Sequence, residues 1–185
     1  EKLAKNHPEI HFEQKGLLMV SRTDEGVDSA VSELHYVQDL GVPGKILNGA
    51  EIQTMEPALK GPILGGVYFS QEATVEPYQV VQAFAKEIRQ RGGEILENVE
   101  LKDLTIEGGR ITSALTSSGE IRAKQIVLAT GSWSKELAKL LRFRLPILGG
   151  KGYAMIVPTL EKQPQYPIML VEKKIAITPR RNSLR

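Results

Sequence analysis

Apolar residues recur along this chain at two spacings, and the spacing sorts its segments into helices and strands. Asp24 to Leu40 carries Val27, Val31, Leu34 and Val37 near helical spacing, and Gly41 is a good stop. Tyr78 to Arg91 carries Val80, Val81, Phe84, Ala85 and Ile88 on one face, with Pro77 suited to the first helical position and Gly92-Gly93 ending the run. Short apolar runs read as strands: Gly16 to Val20 ending at Ser21-Arg22, Ile46 to Asn48, and Leu64 to Phe69 with a Gly-rich entry. Asn48 to Ile52 suits a helix start, and Glu56-Pro57 ends that helix. Glu1 to Ile10 is polar and helix-like, with Pro8 near its end.

The second half predicts more strands. Ile95-Leu96 begins one, and Leu101 to Ile106 pairs with Ile111 to Thr116 as a hairpin around Glu107-Gly108-Gly109-Arg110. Ser117 to Glu120 makes a further turn before Ile121. Ile126 to Ala129 reads as a central buried strand, and Ser132 to Leu141 as a helix. Arg142 to Leu148 is a connector containing Pro146, and Gly152 to Val157 reads as a strand. After a loop from Glu161 to Pro167, Ile168 to Val171 and Ile175 to Thr178 form a hairpin around Glu172-Lys173-Lys174. No internal repeat is visible.

The helix–strand–hairpin–strand–helix order over residues 76–142 is that of a dinucleotide-binding layer, while the flanks have the scattered strands of an α+β module. The expected fold class is therefore α/β and α+β: part of a Rossmann-like dinucleotide-binding layer plus part of an antiparallel-sheet module. The expected division is 1–75, 76–142 and 143–185, with the middle stretch as the dinucleotide-binding layer.

Composition narrows the chemistry. Hydrophobic content of 41% and charged content of 25% fit an ordinary globular chain. A net charge of +2, with basic and acidic residues interleaved, gives no argument for nucleic acid. Without cysteine there is no thiolate nucleophile and no Cys-ligated metal. His7, His11 and His35 lack metal-ligand spacing, and no serine sits in a nucleophile-elbow pattern. Glu72 and Glu76 alone do not support a paired-carboxylate hydrolase. No apolar run is long enough to span a bilayer. The chain starts at Glu1 and stops soon after a strand-like run, and we read it as an internal piece of a longer polypeptide.

Gln125 to Ser134 carries the clearest chemistry. An apolar run breaks at Thr130-Gly131, and helix formers follow. A glycine turn at the end of a strand lets a phosphate approach the backbone, and a helix N-terminus favours negative charge there. The ordinary alternative is a plain strand–helix connection.

Val75-Glu76-Pro77-Tyr78, Arg91-Gly92-Gly93-Glu94-Ile95 and Val127-Leu128-Ala129-Thr130-Gly131-Ser132-Trp133-Ser134 together resemble the D-amino-acid oxidase superfamily of FAD-dependent oxidoreductases. Pro146, then Gly150-Lys151-Gly152-Tyr153, then Ile177-Thr178-Pro179-Arg180 continue the likeness. It covers most of the chain from about residue 16, and its pattern is nearest to bacterial D-amino-acid dehydrogenases and glycine oxidases. One departure stands out: the Gly-rich dinucleotide fingerprint of the family is absent, and neither Gly65-Gly66 nor Gly149-Gly150-Lys151-Gly152 replaces it.

The resemblance implies that residues 76–142 are part of an FAD/NAD(P)-binding domain and that 1–75 and 143–185 are two parts of a substrate domain, in a parent enzyme that oxidises the C–N bond of a small amino acid or amine by hydride transfer to FAD. This stretch alone is expected to be inactive and to hold no tightly bound FAD. The resemblance implies cofactor contacts at Val99, whose backbone would meet the adenine edge, and at Ala129, Thr130 and Gly131 beside the diphosphate. Trp133 either packs on the cofactor or caps the core; aromatic burial favours the core. Lys151 and Tyr153 lead into a strand that approaches the substrate cavity. Arg180 is the candidate for gripping a substrate carboxylate bidentately, with Arg181 beside it. No catalytic acid–base pair and no metal ligand is assigned, in keeping with chemistry carried by the cofactor. Expected partners are thus small molecules, with a cytoplasmic location or, in the parent, membrane association. The alternatives are a non-catalytic α/β binding module, or a related flavoenzyme acting on sarcosine or a C–O donor.

Overall fold

The structure is a computed structural model that describes residues 1–141, 143–159 and 161–185. Arg142, where the expected connector begins, lies outside the described residues. The elements in chain order are α1 (Lys2–Asn6), β1 (Leu17–Ser21), α2 (Asp24–Gln38), β2 (Lys45–Asn48), α3 (Gly49–Met55), β3 (Gly65–Phe69), α4 (Pro77–Gln90), β4 (Leu101–Glu107), β5 (Arg110–Thr116), β6 (Gly119–Arg122), α5 (Ser134–Leu140), β7 (Val157–Pro158), β8 (Ile168–Leu170), β9 (Ile175–Ile177) and β10 (Ser183–Leu184). The chain forms two compact units, 1–87 with 154–185, and 88–153, so one division falls in the last turn of α4. The expected boundaries at 75/76 and 142/143 lie about a dozen residues away from these. Among the described residues no helix is long and apolar enough to cross a membrane.

The larger unit is built on a mixed sheet ordered β2-β3-β1-β8-β9. β1 pairs antiparallel with β3 and parallel with β8, so it is bonded along both edges. Its side chains are buried on both faces, as expected of a central strand. Leu18 and Val20 pack with Leu47, Ile52, Ile63 and Ile168 on one face. Met19 packs with Val67, Phe69, Ala30 and Leu34 on the other, under α2.

The helices are closed by their predicted stops and by local caps. Thr23 Oγ1 accepts the Gly26 N–H at the start of α2, and Gly41 takes a positive φ of 84° just past its end. Asn48 and Glu51 form a reciprocal capping box on α3. At the other end of α3 the fully buried Glu56 carboxylate accepts three backbone N–H groups: Ala58 at 3.1 Å on Oε1, and Gln165 at 2.6 Å and Tyr166 at 3.1 Å on Oε2. This carboxylate ties the 163–166 segment to the sheet.

The smaller unit contains a three-stranded antiparallel sheet, β4-β5-β6. The predicted hairpin is present. Gly108 and Gly109 both take positive φ, 57° and 77°, as a two-residue primed turn requires. Three other expectations are corrected. Ile95-Leu96 is not a strand, and of Gly152 to Val157 only Val157, paired through β7, is in one. Ile126 to Ala129 is not a buried strand: it pairs with no strand among the described residues, and Val127 is 86% exposed. A central strand needs bonded neighbours and cover on both faces, and an apolar run alone provides neither. The helix after it also starts late, with one 3-10 turn at Gly131–Trp133 before α5.

Two outcomes follow from these contacts. Glu56→Ala orphans three part-buried N–H groups at a cost of up to about 1–3 kcal/mol each, so urea unfolding should show a clear drop in midpoint; an unchanged midpoint would remove the carboxylate from its structural role. His7 is buried between Glu87 (Nε2, 3.1 Å) and Glu9 (Nδ1, 3.1 Å), with Lys86 beside Glu9. The hydrogen bond to Glu87 and then that to Glu9 raise its pKa above the usual 6.5, against burial. The folded form therefore binds the proton more tightly than the unfolded chain. Its contribution to stability is full below about 6.5 and is lost as pH rises through the raised value. His7→Gln should flatten the stability–pH curve in that upper window, which denaturation at a series of pH values reads directly. It should also soften the acid limb, because the Glu9 pKa is lowered first by a backbone hydrogen bond and then by that from His7.

Candidate functional site

In each unit a cleft gathers residues singled out from the sequence. In the smaller unit a cleft of about 690 Å³ is lined by Glu100, Leu101, Ala129, Thr130, Gly131, Trp133, Glu136 and Leu137. Ala129, Thr130, Gly131 and Trp133 thus share one site, and Val99 stands next to the lining residue Glu100. Gly131 takes a positive φ of 54°, and a Cβ built on it meets nothing within 4 Å, so the turn leaves its backbone open to an approaching group. Thr130 Oγ1 and Ser134 Oγ lie 2.9 Å apart and brace the turn from behind. Trp133 is 69% exposed, which corrects the reading that it caps the core. Its ring forms a wall of the cleft instead.

This lining has a definite chemistry. It offers backbone at a glycine turn, one indole face, and the carboxylates of Glu100 and Glu136. Carboxylates accept from hydroxyl and amino groups and repel phosphates. α5 has seven residues and carries Glu136 in its first turn, so little positive field remains for an anion. The residues present fit the nucleoside or polyol portion of a dinucleotide better than its diphosphate.

In the larger unit a cleft of about 550 Å³ is lined by Glu13, Gln14, Lys15, Tyr68, Gln163 to Tyr166, and Pro179 to Arg181. β1 and β8 lie side by side, which sets the chain leading into β1 beside the 163–166 segment. Tyr68 and Tyr166 meet edge to face at 5.8 Å, and the Tyr68 hydroxyl donates to the Lys15 carbonyl at 2.9 Å. Burial, and then the neighbouring Tyr166, push the Tyr68 pKa up. Lys15 is paired with Glu13 at 2.8 Å.

Arg180 follows β9 and Pro179, and its N–H donates to the Ser183 carbonyl at 2.8 Å. Its Nη1 donates to Glu76 Oε2 at 3.0 Å, with the two side chains 18% and 30% exposed. This pair joins two of the segments that carried the family likeness, and at a separation of 104 positions no local pattern marks it. Glu76 is itself held by its N–H to the Ile10 carbonyl at 2.8 Å. Arg180 Nε and Gln163 Oε1 are buried and have no hydrogen-bond partner among the described residues. Lys151 and Tyr153 belong to the smaller unit and line neither cleft; the Lys151 ammonium lies 5.7 Å from the centre of the Tyr153 ring, which is 91% exposed. Among the described residues no three His, Asp or Glu side chains gather as metal ligands would.

The sequence matches the family of FAD dependent oxidoreductases (DAO) over residues 1–185. It is 30% identical over 176 residues to the D-amino acid dehydrogenase of Rhizobium rhizogenes, covering 91% of this chain and 42% of that protein. It is 31% identical over 171 residues to that of Chromohalobacter salexigens, covering 89% of this chain and 41% of that protein. Among solved structures, the glycine oxidase from Geobacillus kaustophilus superposes with a TM-score of 0.86 at 21% identity, covering 99% of this chain and 50% of that one. The L-proline dehydrogenase from P. horikoshii superposes with a TM-score of 0.80 at 19% identity, covering 99% and 50%. These two likenesses speak to fold. The chain spans about two-fifths of the length of the dehydrogenases it matches, and it belongs to the FAD dependent oxidoreductase family.

Proposed function

We propose that this chain is part of an FAD-dependent dehydrogenase or oxidase that converts the C–N single bond of a small amino acid to C=N. FAD, when bound, would supply the acceptor for the hydride leaving the substrate α-carbon, while the substrate amine gives up a proton to solvent. The observation that carries the cofactor side is the gathering of Ala129, Thr130, Gly131 and Trp133 around one open cleft. There the glycine turn gives close approach to the backbone, the indole gives a flat apolar face, and Glu100 and Glu136 accept from sugar or polyol hydroxyls. The strand neighbours that Ile126 to Ala129 requires come from the remainder of the polypeptide, as the two-fifths coverage of the relatives allows.

Arg180 holds the substrate carboxylate. A guanidinium carries five N–H donors in a fixed plane, and Glu76 takes one of them. The edge bearing Nε remains for a second carboxylate, and Nε is a buried donor without a partner among the described residues. Glu76 fixes the plane of the group in advance, so less side-chain freedom is lost when a ligand binds.

The full-length protein should therefore be yellow, with flavin absorbance that bleaches anaerobically on adding a D-amino acid such as D-alanine. Gly131→Val should lower its flavin content, because the side chain fills the open approach and resists the positive φ. Residues 1–185 alone should release no stoichiometric flavin on denaturation. A colourless full-length protein that binds no flavin would return the chain to the class of non-catalytic modules.

Arg180→Ala in the full-length enzyme should raise KM for an amino acid by the equivalent of roughly 2–5 kcal/mol, part of it the penalty of an unpaired buried carboxylate. The same change should affect an amine lacking a carboxylate much less. Steady-state kinetics with both substrates separates the cases. If Arg181→Ala has the effect instead, the neighbouring arginine is the holder.

A further inference from the structure

Two buried polar atoms of opposite character line the same cleft without a partner among the described residues: the donor Arg180 Nε and the acceptor Gln163 Oε1. Buried polar groups in folded proteins are nearly always paired, so two orphans on residues that line one cleft call for a common explanation. A ligand that satisfies both must present an acceptor to the guanidinium and an N–H donor to the amide oxygen. An α-amino acid bears both on one carbon, a carboxylate and an amino group.

The remaining charges of the cleft agree. Glu13 is paired with Lys15, and Glu76 with Arg180, so neither carboxylate is free to take the amino group. The segment bearing Gln163 is held in advance. Two residues on, the Gln165 N–H is fixed at 2.6 Å by the fully buried Glu56, with the Tyr166 N–H beside it. Tyr166 in turn packs edge-on against Tyr68 across the cleft. A side chain on so anchored a segment can discriminate between ligands, because the backbone that carries it is positioned before binding.

We infer that Gln163 is a specificity-determining residue of this cleft: its Oε1 accepts an N–H of the substrate amino group while Arg180 takes the carboxylate. The inference rests on the reading of Arg180 given above. It makes the cleft select amino acids over carboxylates of the same shape that lack nitrogen.

The test uses the full-length enzyme and two ligands, D-alanine as substrate and propionate as competitive inhibitor. Gln163→Leu removes the acceptor at similar size. It should raise KM for D-alanine by on the order of tenfold, the usual size of one lost hydrogen bond to a charged group, and leave Ki for propionate unchanged. Gln163→Glu keeps an acceptor and adds a negative charge; it should hold or lower KM for D-alanine and raise Ki for propionate. Arg180→Ala should raise both constants. If Gln163→Leu moves both constants equally, or neither, the inference on Gln163 is overturned while the Arg180 result stands by itself. If Arg180→Ala moves neither constant, the carboxylate reading falls, and Gln163→Leu still decides separately whether the amide distinguishes the two ligands.

Discussion

The pairing of β1 on both edges is the constraint on which the larger unit depends. β1 joins β3 antiparallel and β8 parallel, and it buries Leu18 and Val20 on one face and Met19 on the other. The parallel contact links residues 18–20 to 168–170, about 150 positions later in the chain. Closing so long a connection is entropically unfavourable, and only a doubly buried strand with bonds on both sides offsets it. That closure sets Tyr166, Gln163 and Arg180 beside Lys15 and Tyr68. The cleft is thus a consequence of the sheet order, which brings together short segments far apart in sequence.

Local structure was legible where local chemistry decides it. The α2 stop at Gly41, the Asn48–Glu51 capping box and the Gly108-Gly109 hairpin all act within a few residues, and their signals stand in the sequence. The Ile126 to Ala129 strand was misread for the opposite reason. An apolar run states that burial is needed but not where the burying partners are. Val127 lies exposed because no described strand adjoins it. The same run placed on a completed parallel sheet would satisfy both its backbone and its side chains.

The candidate sites were legible in part. Ala129, Thr130, Gly131 and Trp133 are consecutive or nearly so, and their meeting in one cleft follows from a single turn. Arg180 was visible as a planar cation after a strand, but its partner was not. Glu76 is 104 positions away, and nothing in its neighbourhood marks it as the carboxylate that orients a guanidinium. Gln163 was less visible still, since a glutamine in a Pro-containing loop reads as surface. What sets it apart is the buried Glu56, whose carboxylate fixes backbone N–H groups at Gln165 and Tyr166 across 109 and 110 positions. Long-range polar contacts of this kind leave no periodicity to read.

The two clefts differ in sign, and the difference argues for a division of labour. In the larger unit Lys15, Arg180 and Arg181 outnumber Glu13, so the lining favours an anionic group. In the smaller unit the charged lining residues are Glu100 and Glu136, which disfavour one. A small zwitterion whose carboxylate must be held suits the first. An uncharged, hydroxyl-rich portion of a large cofactor suits the second. The phosphates of that cofactor then need donors other than these, which is the part played in dinucleotide sites by a Gly-rich loop opening a helix. The absence of such a loop from residues 1–185 and the acidic lining of the cleft point the same way: on the proposed reading Ala129, Thr130 and Gly131 would face the nucleoside or polyol portion of the cofactor, not the diphosphate that the family resemblance implies.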